Sequence, residues 1–469
     1  MSNGLQKLTF KEKVGYGFGD LASVLFWQTI MVYLLFFYTD VFGLAAAAAG
    51  TMIAISRILD AFFDVGIGMV ADRTKTRWGK FRPYLLWMAV PLSVAAVLAF
   101  TTPDFSESGK LIYAYVTFIL FMFFYSAINI PYTSLLGVIS GDSNERTSAA
   151  SFKFIGAYIA GFIVSATALP MARYFGDGNV AKGWQITMAI YGVAAIIFFL
   201  ITFLSTHERI QPIAKEKTSI RKDLVDLKHN MPWLQLFIVT ILFILFVCIR
   251  MSVTAHYFKY YIGEQEVSLF GTTQKFGFEV LASAFNAVGQ GLAILGVILV
   301  PWFSKVFGKK RAVVLLFIVA MLCTGSYYYL SPDNLVLIFV LQALGSLTGG
   351  PISTLLWAMY ADTADYSEWK TGRRATGLVY SASIMSNKIG WAIGAMIAGW
   401  LLAVTGFQAN VVQNVDVQNG LKAMMSVIPV AAGILALIVL FFYRLDDSLM
   451  KKIGTELEAR RKESGGATA

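Results

Sequence analysis

Apolar runs recur along the chain with short polar breaks between them. Each run is about 20 residues or more, enough to cross the roughly 30 Å hydrocarbon core of a bilayer as an α-helix. Twelve can be placed, at roughly 14–39, 46–71, 82–101, 110–137, 148–171, 184–205, 234–260, 281–304, 311–330, 335–360, 377–404 and 421–443. No segment of about ten residues shows the alternation expected of a membrane β-barrel strand. The pattern predicts an all-α polytopic membrane protein. Three longer polar stretches interrupt it: His207–Pro232, Gly263–Lys275 and the charged tail after Tyr443. The first divides the spans evenly. It predicts an amino-terminal six-helix bundle over 1–206, a cytoplasmic linker at 207–232, a second six-helix bundle over 233–444 and a cytoplasmic tail over 445–469. Gly79-Lys80-Phe81-Arg82 and Gly308-Lys309-Lys310-Arg311 fall in equivalent loops of the two halves. Such echoes accompany transporters whose halves rock around a central site.

Composition sharpens this. Of 469 residues, 57% are hydrophobic and 14% charged, against about 25% charged in a soluble protein. The net charge of +10 does not call for nucleic acid, because the basic residues sit in alternate loops. Arg73–Arg82, Lys309–Arg311 and Lys370–Arg374 are rich in Lys and Arg, whereas Gly43–Gly50, Ser331–Asn334 and Thr405–Gly420 have almost none. Both termini and the basic loops are therefore expected on the cytoplasmic side. Cys248 and Cys323 lie in apolar runs and read as buried hydrophobes. His207, His229 and His256 are scattered, which leaves no metal site and no constellation for a membrane-embedded transferase. The polar start MSNGLQKLTFKEK predicts no cleaved signal. The chain holds no N-x-Ser/Thr sequon, as expected of a bacterial inner membrane.

Charges inside the spans carry the functional signal. Arg57, Asp60 and Asp64 lie at offsets of 0, 3 and 7, along one stripe of a helix. Each costs at least roughly 2.5–3.5 kcal/mol at membrane depth. A structural Arg57–Asp60 pair leaves the second carboxylate unexplained. A cation that neutralises Asp60 and Asp64 would lower the cost of changing access, which couples solute flux to an ion gradient. Asp20 follows the glycines of Gly15-Tyr16-Gly17-Phe18-Gly19. It reads as an acceptor for a polyhydroxylated solute, or as a helix-end carboxylate held by Lys13. In the fourth span Tyr125, Asn129 and Thr133 share a face beside Ser126, and Pro131 frees the carbonyl of Ala127. That stripe suits a cation or sugar site, and equally the polar contacts that join membrane helices. Lys153 can snorkel or pair with a carboxylate. Arg250 calls for a cavity or a carboxylate. Lys388, the sole cation of the eleventh span, is the natural counter-charge to Asp60 and Asp64. Trp27, Trp357 and Trp391 can stack on sugar faces or simply pack.

With these residues in view, the chain resembles the melibiose-permease-type glycoside–pentoside–hexuronide:cation symporters of the major facilitator fold. The match is carried by Gly15–Asp20, by Arg57-Ile-Leu-Asp60-Ala-Phe-Phe-Asp64, and by Asp72-Arg73-Thr-Lys-Thr-Arg77-Trp78-Gly79-Lys80-Phe81-Arg82-Pro83. Asn129-Ile-Pro131-Tyr132, Glu145-Arg146-Thr147, Asp362-Thr-Ala-Asp365-Tyr366-Ser-Glu368-Trp-Lys370-Thr-Gly372-Arg373-Arg374 and Lys388 complete it. The resemblance implies twelve helices in two six-helix bundles and alternating access. It implies import of a sugar or glycoside with Na⁺, Li⁺ or H⁺, without other cofactors. By position, Asp60, Asp64 and Ser126 would hold the cation. Asp20, Tyr125, Asn129, Thr133, Lys153 and Lys388 would line the sugar site. Arg57, Asp72, Arg73, Arg77, Asp362, Asp365, Arg373 and Arg374 would act as charge partners or gates. Transport can be complete in one chain, with lipid around it.

The departures narrow this. Melibiose-type members place an Asp before Ile-Pro-Phe-Trp, where this chain has Asn129-Ile-Pro131-Tyr132-Thr133. That removes an anionic acceptor and an indole, so a pentoside, glucoside or hexuronide is expected rather than a galactoside. Lys153 replaces an Arg and loses its bidentate fork. Phe63 stands where sodium-using relatives often carry Asn, which leaves Na⁺ and H⁺ both open. A proton-coupled exporter or a non-transporting sugar sensor on the same scaffold are the alternatives.

Overall fold

The computed structural model describes residues 7–140, 142–209, 230–269, 272–371 and 376–466. Thr9 and Glu12 form a reciprocal capping box, with Glu12 N–H donating to Thr9 Oγ1 at 3.3 Å and Thr9 N–H to the Glu12 carboxylate at 2.8 Å. This satisfies donors that a helix start leaves free and launches α1 (Phe10–Phe36), which ends in a π-helical turn, Phe37–Val41. The amino-terminal helices continue as α2 (Ala46–Arg73), α3 (Arg82–Trp87), α4 (Ala89–Ala99), α5 (Glu107–Leu135), α6 (Ser143–Gly176) and α7 (Val180–Ser205). Then come α8 (Met231–Tyr257) with its own π turn Phe258–Ile262, β1 (Gln265–Leu269), β2 (Thr272–Phe276), α9 (Phe278–Ile298) and α10 (Val300–Phe307). The chain closes with α11 (Lys309–Ser326), α12 (Leu335–Thr371), α13 (Thr376–Val404), α14 (Val415–Met425), α15 (Val427–Phe441) and α16 (Asp447–Gly466).

Among the described residues, ten helices are long and apolar enough to cross a membrane. They fall at ten of the twelve predicted positions. The other two positions hold helices of a different character. The second is α2, 28 residues long and carrying Arg57, Asp60 and Asp64. The third is broken into α3 and α4 at Met88. Gly263–Lys275, expected only as a polar segment, forms the antiparallel β1–β2 hairpin. Its strands are five residues each, too short for alternation to stand out from a loop. The predicted linker lies almost wholly outside the described residues.

Contacts divide the chain into two compact units, and each draws on both halves of the sequence. Unit one is Met1–Ala214, Met251–Gln290 and Ala395–Leu421; unit two is Lys215–Arg250, Gly291–Gly394 and Lys422–Ala469. In unit one the alternate glycines of α1 work as separate contacts. A Cβ at Gly15 would meet Ser205 of α7, one at Gly17 the Phe152 carbonyl of α6, and one at Gly19 the Tyr132 ring of α5. Helices turn by about 100° per residue, so Gly15 and Gly19 share one side a turn apart and Gly17 faces the other, and missing side chains let all three neighbours close in. Also in unit one, Gly50 of α2 lies backbone to backbone with Gly399 of α13, and Trp400 Nε1 donates to Thr51 Oγ1 at 2.9 Å. In unit two, Asn230 caps α8 through Trp233 N–H at 3.2 Å and donates to the Thr363 carbonyl of α12 at 2.9 Å.

Candidate functional site

Asp60 and Asp64 are one helical turn apart on α2, so both carboxylates project from the same side. Ser126 of α5 meets them. Its Oγ lies 2.6 Å from Asp60 Oδ1 and 2.7 Å from Asp64 Oδ1. Asp60 and Ser126 are buried, and Asp64 is half-buried. A serine hydroxyl has one proton to donate, so it serves one of the two oxygens fully at any moment. Two carboxylates this close repel unless a proton or cation joins them. Three oxygens from two helices thus converge on one point.

The other predicted residues of this region surround it in unit one. The Arg57 guanidinium lies 4.9 Å over the Trp27 ring, with Nη2 3.3 Å from Met31 Sδ. Trp27 stacks on Tyr125 at 5.1 Å. Trp27 is thereby engaged by protein groups. Phe63 packs edge-on against Phe123 at 5.5 Å and brings no oxygen to the cluster.

Closer to the basic end, α1, α5 and α6 place a second polar group. Lys153 Nζ is 3.9 Å from Asp20 Oδ1 and 3.4 Å from Thr133 Oγ1, and sits 5.3 Å over the Tyr132 ring. Lys13 does not hold Asp20; it pairs instead with Glu145 at 2.9 Å. Tyr16 and Tyr132 stack at 4.8 Å, and Tyr132 OH donates to the Tyr16 carbonyl at 2.7 Å, which fixes α1 on α5 directly behind Asp20. Asn129 is half-buried one turn from Tyr125. Thr133 also borders an open cleft of about 480 Å³ with Arg146 and Thr147 on its walls.

The gating candidates divide. Asp72 and Arg73 are exposed at the end of α2, and the Arg77 guanidinium covers the Trp78 ring at 4.7 Å. In unit two Asp362 holds Lys309 Nζ at 2.7 and 2.8 Å, and Asp365 is half-buried on α12. Arg373 and Arg374 lie outside the described residues. Lys388 is on α13 in unit two. Arg250, whose partner the sequence leaves open, donates to Thr324 Oγ1 at 3.2 Å and Gln342 Oε1 at 3.1 Å beside the Tyr327 ring, all within unit two.

Two clusters escape the sequence reading. Glu208, just after α7, accepts N–H bonds from Lys80, Phe81 and Arg82 at 2.8, 2.7 and 3.0 Å. The basic loop is wrapped around a carboxylate, with Gly79 at φ +108° making the turn. The second cluster centres on Asp40, whose side chain is fully buried. Lys259 Nζ is 2.8 Å from Oδ1, Thr39 Oγ1 donates to Oδ2 at 2.7 Å, His256 Nε2 lies 3.3 Å from Oδ2, and Tyr260 OH also bonds Oδ1. Asn410 completes it, accepting from Lys259 at 2.7 Å and donating to the Asp40 carbonyl at 2.8 Å. Both π-helical turns of the described chain are at this cluster, one carrying Asp40 and the other Lys259 and Tyr260. Wider turns of this kind often mark functional positions. The signal in the sequence was Asp40 ending one apolar run and His256 with Lys259 ending another, with nothing local to say that they meet.

A family model described as MFS/sugar transport protein matches residues 15–447. The chain is 35% identical to "Inner membrane symporter YicJ" of Escherichia coli (strain K12), covering 96% of this chain and 95% of that one. It is also 35% identical to "Isoprimeverose transporter" of Lactiplantibacillus pentosus, covering 97% and 92%. Among solved structures, a bacterial homologue of the human drug peptide transporters PepT1 and PepT2 superimposes with a TM-score of 0.68 at 14% identity, over 94% of this chain and 99% of that one. That likeness is one of fold.

Proposed function

Because the chain belongs to the MFS/sugar transport protein family, and is thus a multi-pass membrane transporter and not an enzyme, we propose that it imports a glycoside or related sugar together with a cation across an inner membrane by alternating access. The observation that carries the coupling is Ser126 held between Asp60 and Asp64. Binding of Na⁺ or H⁺ there cancels repulsion between the carboxylates and lowers the cost of enclosing them. Empty of cation, the pair resists closure, so solute crosses in the company of the ion.

Asp20, Lys153 and Thr133 supply the sugar contacts in this reading. A carboxylate 3.9 Å from an ammonium is an open pair, able to accept from one sugar hydroxyl and donate to another. Tyr125 and Asn129 extend that surface toward the cation site. The names of the relatives support the solute class: one is a symporter and another transports isoprimeverose. Asn129, where an Asp would favour galactosides, supports a glucoside, pentoside or hexuronide.

The test is uptake of a panel of glycosides into vesicles, with Na⁺ and pH gradients imposed separately. One gradient is expected to drive accumulation, and Asp64→Asn, expressed at the normal level, to abolish it. Accumulation by Asp64→Asn against a gradient would remove the coupling role. Absence of uptake for every solute, under both gradients, would favour a sensor.

A further inference from the structure

We propose that a cleft at the basic end of unit two binds one anionic phospholipid. The cleft encloses about 760 Å³ between α11, α15 and the start of α16. Its floor is apolar, formed by Val314, Leu315, Leu437 and Leu440, and its rim carries Lys310, Arg311, Asp446 and Ser448. An apolar channel with charge confined to one end has the polarity of a lipid. A small ion would leave the floor unfilled.

The depth is set by α10. None of its residues is buried, and Trp302 and Val306 are 55% and 54% exposed with Lys305 beside them. A short helix exposing Trp and Lys together suits the headgroup layer. Phe307, at its end, lines the cleft. The rim is therefore at headgroup level, and the floor runs on into the hydrocarbon.

The rim is selective for negative charge. Lys310 Nζ donates to the Tyr443 and Phe441 carbonyls at the end of α15, which holds its charge in place. Asp446 accepts from Leu449 N–H at 2.8 Å and Ser448 Oγ at 2.7 Å as the cap of α16, and these bonds, with the nearby Lys310 charge, hold its carboxyl below the usual range. Arg311 is exposed and, among the described residues, has no carboxylate partner. Two cations and one carboxylate leave the rim a net +1, which one phosphodiester balances. The same phosphate would meet the start of α11, whose cap, Gly308, offers no side-chain bond and whose first N–H groups favour an anion. A zwitterionic lipid brings a second cation and loses that balance. Basic pockets between membrane helices on the cytoplasmic side recognise acidic headgroups in this way.

The experiment uses the full chain in detergent after delipidation, titrated with phosphatidylglycerol or phosphatidylcholine. Retention is read by native mass spectrometry and stability by thermal unfolding. Phosphatidylglycerol is expected to give one retained lipid per chain and a raised Tm, and phosphatidylcholine neither. Arg311→Glu is expected to lower retention by about tenfold, as loss of a charge-assisted contact does. Leu437→Trp, which fills the floor without touching the rim, is expected to do the same by bulk and keeps the test open if Arg311→Glu fails to fold. Equal retention of the two lipids, phosphatidylglycerol held by both variants as by the parent, or displacement of the lipid by inorganic phosphate would each overturn the proposal.

Discussion

Two carboxylate sites of unit one, Asp40 and the Asp60–Asp64 pair, are built on opposite logic. At Asp40 the side chain meets donors on every side: an ammonium, an imidazole and two hydroxyls. At Asp60 and Asp64 two acceptors converge on one hydroxyl. The first site carries its counter-charge within the protein and serves to hold α1 against the segments around His256 and Asn410. The second, in the proposed function, is where a mobile cation binds. A buried carboxylate by itself therefore does not identify a coupling site, since Asp40 is one that is held by the protein's own donors.

The comparison can be broken by experiment. The largest effect is expected at the coupling pair. In Asp60→Asn or Asp64→Asn the inside-to-outside solute ratio falls from concentrative to about one, while thermal stability holds or rises, because a repelling charge has gone. Uptake assays beside thermal unfolding check both halves of this statement.

Asp40→Ala should behave in the reverse sense. It leaves the half-buried Lys259 and the buried His256 without their carboxylate and is expected to cost about 3 kcal/mol, the low end of the range for breaking a buried pair from one side. Removing both charges, in Asp40→Asn with Lys259→Gln, should recover most of that loss. Thermal unfolding of the single and double variants measures the coupling. If the double variant is no better than the single one, Asp40 is not held by charge.

Ser126→Ala comes next. Loss of one hydroxyl should weaken apparent cation affinity by about tenfold, the equivalent of one hydrogen bond, and leave the maximal rate largely intact. A cation titration of uptake reads it. The smallest effect is expected at Lys13→Met. Its partner Glu145, 2.9 Å away, keeps a second bond from Leu8 N–H at 3.0 Å, so little stability should be lost. Uptake should be unchanged, which separates it from Lys153→Met, where the sugar KM should rise.

Much of this was legible in the order of residues. The charged stripe of α2 was visible as Arg57, Asp60 and Asp64 at helical spacing, because the helical repeat is local and needs no knowledge of neighbours. The alternate glycines Gly15, Gly17 and Gly19 were visible in the sequence, though not which helix each one meets. The stripe of Tyr125, Asn129 and Thr133 beside Ser126 was visible too, but with a cation or sugar site and helix packing equally open. Pairings across the chain were not legible. Lys13 was offered to Asp20 by proximity in sequence; the fold gave Lys13 to Glu145 and Lys153 to Asp20. Glu208, at the start of the polar segment, carried no signal in the sequence, and it anchors a loop more than a hundred residues away.

What the sequence by itself determined was the membrane class, the helical spans and the presence of costly intramembrane charge. Those follow from hydropathy and from a repeat set by backbone geometry, both readable within a window of some twenty residues. What only the tertiary structure decided was which charges are satisfied and which are shared. Ser126 reaches two carboxylates, and Asp40 gathers Lys259 and His256 from more than two hundred residues away. Electrostatic roles belong to neighbours within a few ångströms, and in a helical bundle those neighbours are chosen by packing and not by position along the chain.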